Sequence, residues 1–260
     1  MKEKVLLEEM SWVEIEQAIK DGKTTVIVVS GAIEQHGPHL PTGTDTFLGY
    51  EVAQRAARQL GNTLVAAVIR PCLSEHHMGF SGSLTLSWET YNMVLSDYCE
   101  SLSNCGFTDI VLSSSHGGNN AVMTAVTPDI ARKFYGKVNI HLVDYLTLCF
   151  EDETAYLKDL GISRGKAGVH AGYGETAQMM MAKPDLVKME FAERGLDDES
   201  FYDPQKIARS QIDSFIHGIK HFSKNGILGD PRGANPEIGE KLLSMAAGAF
   251  AKAITDCIDV

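Results

Sequence analysis

The chain has 260 residues, a formal net charge of −11 and 44% hydrophobic residues, a composition typical of a globular protein. Nucleic acid is excluded as an expected partner, because binding a phosphate backbone needs clustered lysine and arginine and the sequence has no such stripe. No apolar run reaches the 18 residues of a membrane span, so we expect no membrane partner.

The amino-terminal segment and the cysteines both indicate a cytoplasmic protein. Residues 1–9 are charged throughout and lack the apolar core of a signal peptide. The five cysteines are scattered and form no Cys-x-x-Cys pair, which is typical of free thiols in a reducing compartment.

Predicted strands and helices alternate along the chain. Alternation of this kind predicts a mostly parallel central sheet with helices on both faces. We therefore expect residues 1–260 to form a single three-layer α/β domain. The predicted elements are a helix at 8–21, strand 25–29, helix 47–60, strand 64–69, helix 88–105, strand 109–113, a helix from 121 to 135 interrupted by Pro128, strand 138–143, a less regular stretch at 146–168, and helices at 177–182, 207–222 and 236–258.

A polar cluster follows the first predicted strand. The stretch Gly31-Ala-Ile-Glu34-Gln-His36-Gly-Pro-His39-Leu-Pro-Thr-Gly-Thr-Asp45 is rich in glycine and proline, which fix an irregular backbone. Glu34 and His36 are two residues apart, so they point the same way in an extended backbone. Carboxylates mixed with imidazoles suit Zn²⁺, Mn²⁺ or Fe²⁺. Asp45 has the alternative role of capping the helix that follows it.

Two further clusters come later in the chain. Ser114-Ser-His116-Gly-Gly-Asn119 follows the strand at 109–113, and His170-Ala-Gly-Tyr-Gly-Glu175 follows the less regular stretch, after a probable strand. In an open α/β sheet, ligands bind beyond the carboxyl ends of the strands. We therefore expect the three clusters to converge at one end of the sheet.

The combined residue types predict a two-metal hydrolytic site. Asp45 is the natural bridge, because a carboxylate has two oxygens. Two divalent ions would hold a bridging hydroxide as the nucleophile, and His170 would protonate the leaving group or shuttle a proton. The expected metal ligands are Glu34, His36, Asp45, His116 and Glu175.

Other chemistries find little support in the sequence. There is no Gly-x-Ser-x-Gly, no P-loop and no Gly-x-Gly-x-x-Gly, so neither a serine nucleophile nor a nucleotide cofactor is indicated. The long loop at 70–87 carries His76, His77 and Ser83, and a loop of that length is usually functional or mobile. For His39, His76 and His77, a surface position and a place in the substrate pocket both stay open.

These motifs resemble those of the creatininase (creatinine amidohydrolase) family. The similarity lies in the stretch from Gly31 to Asp45, in Ser115-His-Gly-Gly-Asn119, in His170-Ala-Gly-x-x-Glu175-Thr and in Gly229-Asp-Pro-Arg232, and it spans residues 8–255. The resemblance implies a single α/β domain, two Zn²⁺ or Mn²⁺ ions per subunit, hydrolysis at a carbonyl and a homo-oligomer, often a hexamer. By motif it implies metal ligands at Glu34, His36, Asp45 and His116, and it implies that His170 is the catalytic histidine. We take Glu175 as the fifth ligand.

The chain departs from creatininases proper at two places. They have a bulky aromatic residue and then a glutamate after the second-cluster histidine, where this chain has Gly117 and Gly118. They also have a tryptophan four positions before the catalytic histidine, where this chain has Lys166. These differences argue against creatinine as the substrate. The residues expected to contact a small-molecule substrate are His39, His77, Ser83, Lys166 and Asn119.

Three functions are compatible with the sequence. The first is a dinuclear-metal hydrolase that opens a small cyclic amide or a related carbonyl substrate. The second keeps the site but hydrolyses a C–C bond of a cyclic polyol ketone, as in a 3-dehydro-scyllo-inosose hydrolase. The third is a non-catalytic protein that binds metal or ligand, which the presence of His170 and a full ligand set disfavours.

Overall fold

A parallel sheet forms the centre of the computed structural model, which describes residues 4–198 and 212–258. Within these residues the strands are β1 Thr25–Ser30, β2 Thr63–Val65, β3 Asp109–Ser114 and β4 Asn139–Leu142. Their order in the sheet is β2-β1-β3-β4, and every pair is parallel. The predicted fold class is confirmed.

Helices connect the strands and continue to the carboxyl-terminal end of the described residues. None of them has the length and apolar content needed to cross a membrane. The labelled helices are α1 Trp12–Lys20, α2 Thr44–Leu60, α3 Trp88–Cys105, α4 Gly117–Lys133, α5 Tyr145–Asp159, α6 Arg164–Ala167, α7 Tyr173–Ala182, α8 Ile219–Phe222 and α9 Pro236–Ile258.

Both faces of the sheet are covered, which gives three layers. Successive side chains of a strand point to opposite faces. Ile27 and Val29 of β1 pack in one core with α2, α5, α7 and α9, while Val26 and Val28 pack in a second core with α3 and α4. Every residue of β1 is buried, as expected for the centre of a parallel sheet.

The strand order creates a crevice between β1 and β3. The two strands are neighbours, with Ser30 opposite Ser114 at their carboxyl ends. The chain leaves β1 toward β2 on one side, and it leaves β3 toward β4 on the other. Ligands of open α/β sheets bind at such a switch point. The first two polar clusters follow directly from these two strand ends.

Several predicted boundaries differ from the structure. β2 ends at Val65, and Ile69 makes only an isolated bridge to Ser30. Helix α4 begins four residues earlier than predicted and runs through Pro128, because Val126 and Ile130 pack in the core and outweigh one lost hydrogen bond.

The stretch at 146–168 is more regular than predicted. It forms most of α5 and all of α6, and α5 begins where the Asp144 side chain accepts a hydrogen bond from the backbone N–H of Thr147. Of the predicted helix at 207–222, residues 207–211 lie outside the described residues. The remainder is helical at 212–217 and in α8, with Gly218 between them at a φ of 77°. All five cysteines are free.

Two glycines of α9 give a matched test of the packing between α9 and α7. A Cβ at Gly239 would overlap the backbone carbonyl of Ala177 in α7, whereas a Cβ at Gly248 would have no atom within 4 Å. Gly239→Ala should therefore lower the free energy of unfolding by about 1–3 kcal/mol through overpacking. Gly248→Ala should raise it by about 0.5–1 kcal/mol through helix propensity.

Urea unfolding of the two variants beside the parent chain measures both changes. Shifts of the same sign in the two variants would contradict the close contact between α9 and α7.

Candidate metal centre

Three helix amino termini point at the carboxyl ends of β1 and β3. Asp45 lies in the first turn of α2, Glu175 lies in the first turn of α7, and His116 is the residue that precedes α4. A helix amino terminus favours negative charge, so it suits the two carboxylates. Gly43 occupies the cap position of α2, so the capping role considered for Asp45 is wrong.

The third cluster reaches the site by a different route from the one predicted. His170 and Glu175 lie after α6 and at the start of α7, and among the described elements only helices lie between β4 and this segment. An isolated antiparallel bridge between His170 and Leu228 holds this segment. Ala171 has a φ of 52°, which is uncommon for a residue with a side chain, and its N–H donates to the Glu175 carboxylate.

Glu34 lies at the centre of the site and is fully buried, with 0% of its surface exposed. Its Oε2 lies 3.2 Å from His116 Nε2, and its Oε1 lies 3.4 Å from His77 Nε2 and 3.7 Å from His170 Nδ1. None of these approaches forms a hydrogen bond, so both oxygens are buried without a partner. An unpartnered buried carboxylate is costly and points to a cation that the site holds in function.

Asp45 lies between two imidazoles. Its Oδ1 is 3.1 Å from His36 Nε2, and its Oδ2 is 3.5 Å from His116 Nδ1. Glu175 Oε2 lies 3.9 Å from His36 Nε2. Among the groups that have the spacing of metal ligands, Glu34–Asp45–His116 and His36–Asp45–Glu175 share Asp45.

Burial and mutual charge shift the carboxyl pKa values in different directions. Burial, followed by the charge of Asp45, raises the pKa of Glu34 well above its ordinary value. Burial also raises the pKa of Glu175 to about 6, although His36 opposes that shift. For Asp45 burial is outweighed by His36 and His116, so the pKa is lowered. Without a bound cation, the three carboxyl groups therefore differ in how readily they lose their protons.

Three imidazoles are each fixed by a backbone carbonyl. His36 Nδ1 lies 3.1 Å from its neighbour Glu34 O, His116 Nε2 lies 2.9 Å from Leu73 O, and His170 Nε2 lies 2.7 Å from Gln35 O. A carbonyl oxygen accepts only, so we assign the hydrogen to each of these nitrogens. The other nitrogen of each ring then faces the carboxylates, an arrangement seen in metal-bound histidines.

The pKa values of the histidines separate one ring from the others. Burial lowers the pKa of His36, but the charges of Asp45, Glu175 and Glu34 outweigh it and raise the value to about 10. Burial lowers the pKa of His116 and of His170, so those rings are neutral near pH 7.

The loop at 70–87 contributes two more buried histidines. His76 and His77 lie with Glu34 in a third group of ligand spacing, and burial lowers the pKa of His76 to about 3. His76 is absent from the residues predicted for the site. Its position beside His77 in a long loop was the available signal, but the sequence does not show which histidine of such a pair faces inward.

The donor set fits divalent cations. A mixture of carboxylate oxygen and imidazole nitrogen ligands suits Zn²⁺, Mn²⁺ and Fe²⁺. The unpartnered oxygens of Glu34 and the unpartnered Oδ2 of Asp45 are the atoms that such ions would satisfy. Glu34, Asp45 and His116 could hold one ion, and His36, Asp45 and Glu175 could hold a second.

The residues predicted to contact substrate lie in different surroundings. Ser83 Oγ accepts from the backbone N–H of Gln35, and the Asn119 amide contacts Leu73 N, Gly31 O and Ser114 Oγ. The side-chain groups of Asn119 are thus in use within the protein. Their substrate-binding roles stay predictions.

His39 and Lys166 have other neighbours. His39 Nε2 lies 2.9 Å from Thr176 Oγ1, its Nδ1 has no partner, and burial lowers its pKa to about 4. Lys166 Nζ lies 5.4 Å above the Tyr173 ring, and its backbone oxygen accepts from Asp230 N. Their contacts to substrate also stay predictions.

The two glycines after His116 have opposite surroundings. A Cβ at Gly118 would overlap the His116 ring and touch the Leu73 carbonyl and the His76 ring. A Cβ at Gly117 would meet no atom within 4 Å. A side chain at position 118 would therefore meet the His76 ring.

Comparisons with known proteins agree with the fold. A "Mycofactocin precursor peptide peptidase" of Mycolicibacterium smegmatis is 28% identical over 240 residues, covering 90% of this chain and 83% of the relative. A "Creatinine amidohydrolase" of Pseudomonas putida is 25% identical over 268 residues and covers 98% of both chains. A solved mutant creatininase of the Zn-Zn type superposes with a TM-score of 0.81 at 22% identity, covering 98% of each chain.

The family profile Creatininase, described as creatinine amidohydrolase, matches residues 8–254. Because this match takes in nearly the whole chain, the protein belongs to the creatininase family of metal-dependent hydrolases.

Proposed function

We propose that the protein is a two-metal amidohydrolase that cleaves the C–N bond of a small amide substrate, either cyclic or a short peptide. The observation that carries the proposal is Asp45, whose two oxygens face two different imidazoles at 3.1 and 3.5 Å. Two divalent ions bound there would polarise a substrate carbonyl and lower the pKa of a water toward neutrality. The solved creatininase that is named as the Zn-Zn type supports a pair of ions.

His170 is the proposed proton carrier. Its Nε2–H donates to the Gln35 carbonyl, so the lone pair on Nδ1 faces the carboxylate of Glu34 at 3.7 Å. A neutral imidazole in this position can accept a proton from the attacking water and deliver it to the leaving nitrogen. Its low pKa favours delivery once the ring is charged, because burial and the charge of His36 make the charged ring unstable.

Space beside the site favours an extended substrate over a flat ring held between aromatic residues. Gly117 follows His116 and has open space where a side chain would project. Two relatives that match 90% or more of this chain are named a peptidase and an amidohydrolase, so both act on amide bonds by name. These observations support C–N hydrolysis, and we propose larger amides ahead of creatinine as candidate substrates.

A homo-oligomer is part of the proposal. Large apolar side chains are exposed at both tryptophans, Trp12 at 76% and Trp88 at 56%. Exposed apolar surface is available for burial against another subunit where it forms part of a contiguous patch. Association into a hexamer is therefore a compatible arrangement.

A substrate panel tests the proposed reaction. Zn²⁺- and Mn²⁺-loaded protein is incubated with short peptides, lactams, formamides, creatinine and a keto-inositol, and product formation is followed by mass spectrometry. We expect turnover of an amide, and we expect His170→Gln to lower kcat by about 10²–10⁴-fold with its metal content unchanged. His221→Gln, which alters an exposed histidine, is the matched control and should keep full activity.

Turnover of the keto-inositol alone would replace the proposed C–N hydrolysis by C–C hydrolysis at the same site. Equal activity of His170→Gln and the parent chain would remove His170 from the mechanism.

Removing the Glu34 charge tests the demand for a cation. The raised pKa of Glu34 means that the folded protein holds this proton more tightly than the unfolded chain. The metal-free protein therefore loses stability as the pH rises above the ordinary value of 4.5. Metal-free Glu34→Gln should be more stable than the parent by about 1–3 kcal/mol at pH 8, and the difference should vanish toward pH 4.

Glu34→Gln should bind Zn²⁺ more than about 100-fold more weakly than the parent chain. Mutation of a residue that only hydrogen-bonds a metal ligand already lowers metal affinity by about 10–100-fold, and Glu34 is proposed as a ligand itself. Glu16→Gln, on the exposed face of α1, is the control and should change neither property. Denaturant unfolding without metal and calorimetric Zn²⁺ titration measure the two effects. A metal-free Glu34→Gln that is less stable than the parent at pH 8 would contradict the unpartnered charge.

A further inference from the structure

The Gln35 side chain lies against two histidines of the site, and the proposed reaction assigns no role to this side chain. It is 6% exposed and lies between Glu34 and His36 in the sequence. Its Nε2 lies 3.0 Å from His77 Nδ1, 2.9 Å from His170 Nε2 and 3.1 Å from the Gly226 carbonyl. An amide nitrogen has only two hydrogens, so these three approaches cannot all be hydrogen bonds.

Two backbone groups of fixed polarity define which way the Gln35 amide points. The N–H of Gly37 donates to Gln35 Oε1 at 2.9 Å, so an oxygen must stand there. The carbonyl of Gly226 accepts from Gln35 Nε2, so a donor must stand there. Gly226 has a φ of 80°, and a Cβ on it would overlap the Gln35 amide, so glycine permits this approach. The opposite amide orientation would lose both hydrogen bonds.

The remaining hydrogen of Gln35 Nε2 has one possible acceptor. His170 Nε2 already carries a hydrogen, because it lies 2.7 Å from the backbone oxygen of Gln35. A nitrogen that carries a hydrogen cannot accept in the ring plane, so the 2.9 Å approach between Gln35 and His170 is not a hydrogen bond. The hydrogen therefore goes to His77 Nδ1, which must be unprotonated.

We propose that Gln35 is a positioning residue that holds His77 as the Nε2–H tautomer while its own backbone carbonyl holds His170 with an unprotonated Nδ1. The two rings then present opposite groups to the same side of the site. The N–H of His77 and the lone pair of His170 lie 3.4 and 3.7 Å from Glu34 Oε1.

The tautomers assign different tasks to the two rings. With its Nε2 protonated, His77 cannot bind a metal ion through that atom, and it acts instead as a neutral hydrogen-bond donor to an oxygen at the site. If the proposed amide hydrolysis is correct, that oxygen is the substrate carbonyl oxygen, whose negative charge grows in the transition state. His170 remains the proton acceptor.

Neutron diffraction of deuterium-exchanged crystals of the zinc-loaded protein tests the assignment without any substrate. We expect deuterium on Nε2 of His77 and on Nε2 of His170, with none on Nδ1 of either ring. Deuterium on Nδ1 of His77, or on Nδ1 of His170, would overturn the proposal. This result is independent of which bond the enzyme cleaves, so its failure is distinct from failure of the proposed function.

Gln35→Glu tests the role of the amide donor with a side chain of the same shape. A carboxylate oxygen in place of Nε2 accepts instead of donating, so the His77 hydrogen should move to Nδ1 in the neutron structure. On an amide substrate found in the panel, kcat should fall about 10²-fold, as for loss of one transition-state donor, with KM changed less than about threefold. A His77 ring that keeps its hydrogen on Nε2 in Gln35→Glu would refute control by Gln35.

Gln17→Glu, an exposed change of the same kind on α1, is the control and should leave the kinetics and both tautomers unchanged. A fall in kcat in Gln17→Glu equal to that in Gln35→Glu would assign the loss to charge alone and contradict the proposal.

Discussion

The buried carboxylate of Glu34 is the constraint on which the rest of the site depends. It has no exposed surface and no hydrogen-bond partner for either oxygen, and Asp45 adds a second buried negative charge nearby. Burying an unpaired carboxylate costs several kcal/mol, which imidazoles that are mostly neutral do not offset. Divalent cations between these carboxylates would remove that cost, so the protein fold and the metal centre depend on each other.

The fold brings these charges together from distant parts of the sequence. Strands β1 and β3 end side by side, and the amino termini of α2, α4 and α7 face the same space. The backbone also orients the rings, because carbonyls of residues 34, 35 and 73 each receive one imidazole hydrogen. Each ring therefore directs its second nitrogen inward before any ligand arrives, which reduces reorganisation during the reaction.

The sequence predicted the sheet, the convergence of the clusters and the residues that meet at its edge. It could do so because buried parallel strands are short β-branched runs, and because Glu34, His36 and Asp45 follow one such run directly. It did not predict α5, whose buried side chains at Tyr145, Cys149 and Leu157 are too sparse to give a clear helical period. The roles of Gln35 and His76 depend on contacts with residues 40 or more positions away, which no local pattern encodes.

Anomalous diffraction at the manganese edge, from crystals grown with Mn²⁺, tests the central claim most directly. We predict two peaks per chain, one beside Glu34 and His116 and one beside His36 and Glu175, with Asp45 contacting both. A single peak that leaves Asp45 on one ion would contradict the shared-carboxylate arrangement. Absence of any peak at Glu34 would contradict the claim that its buried charge is held by a cation.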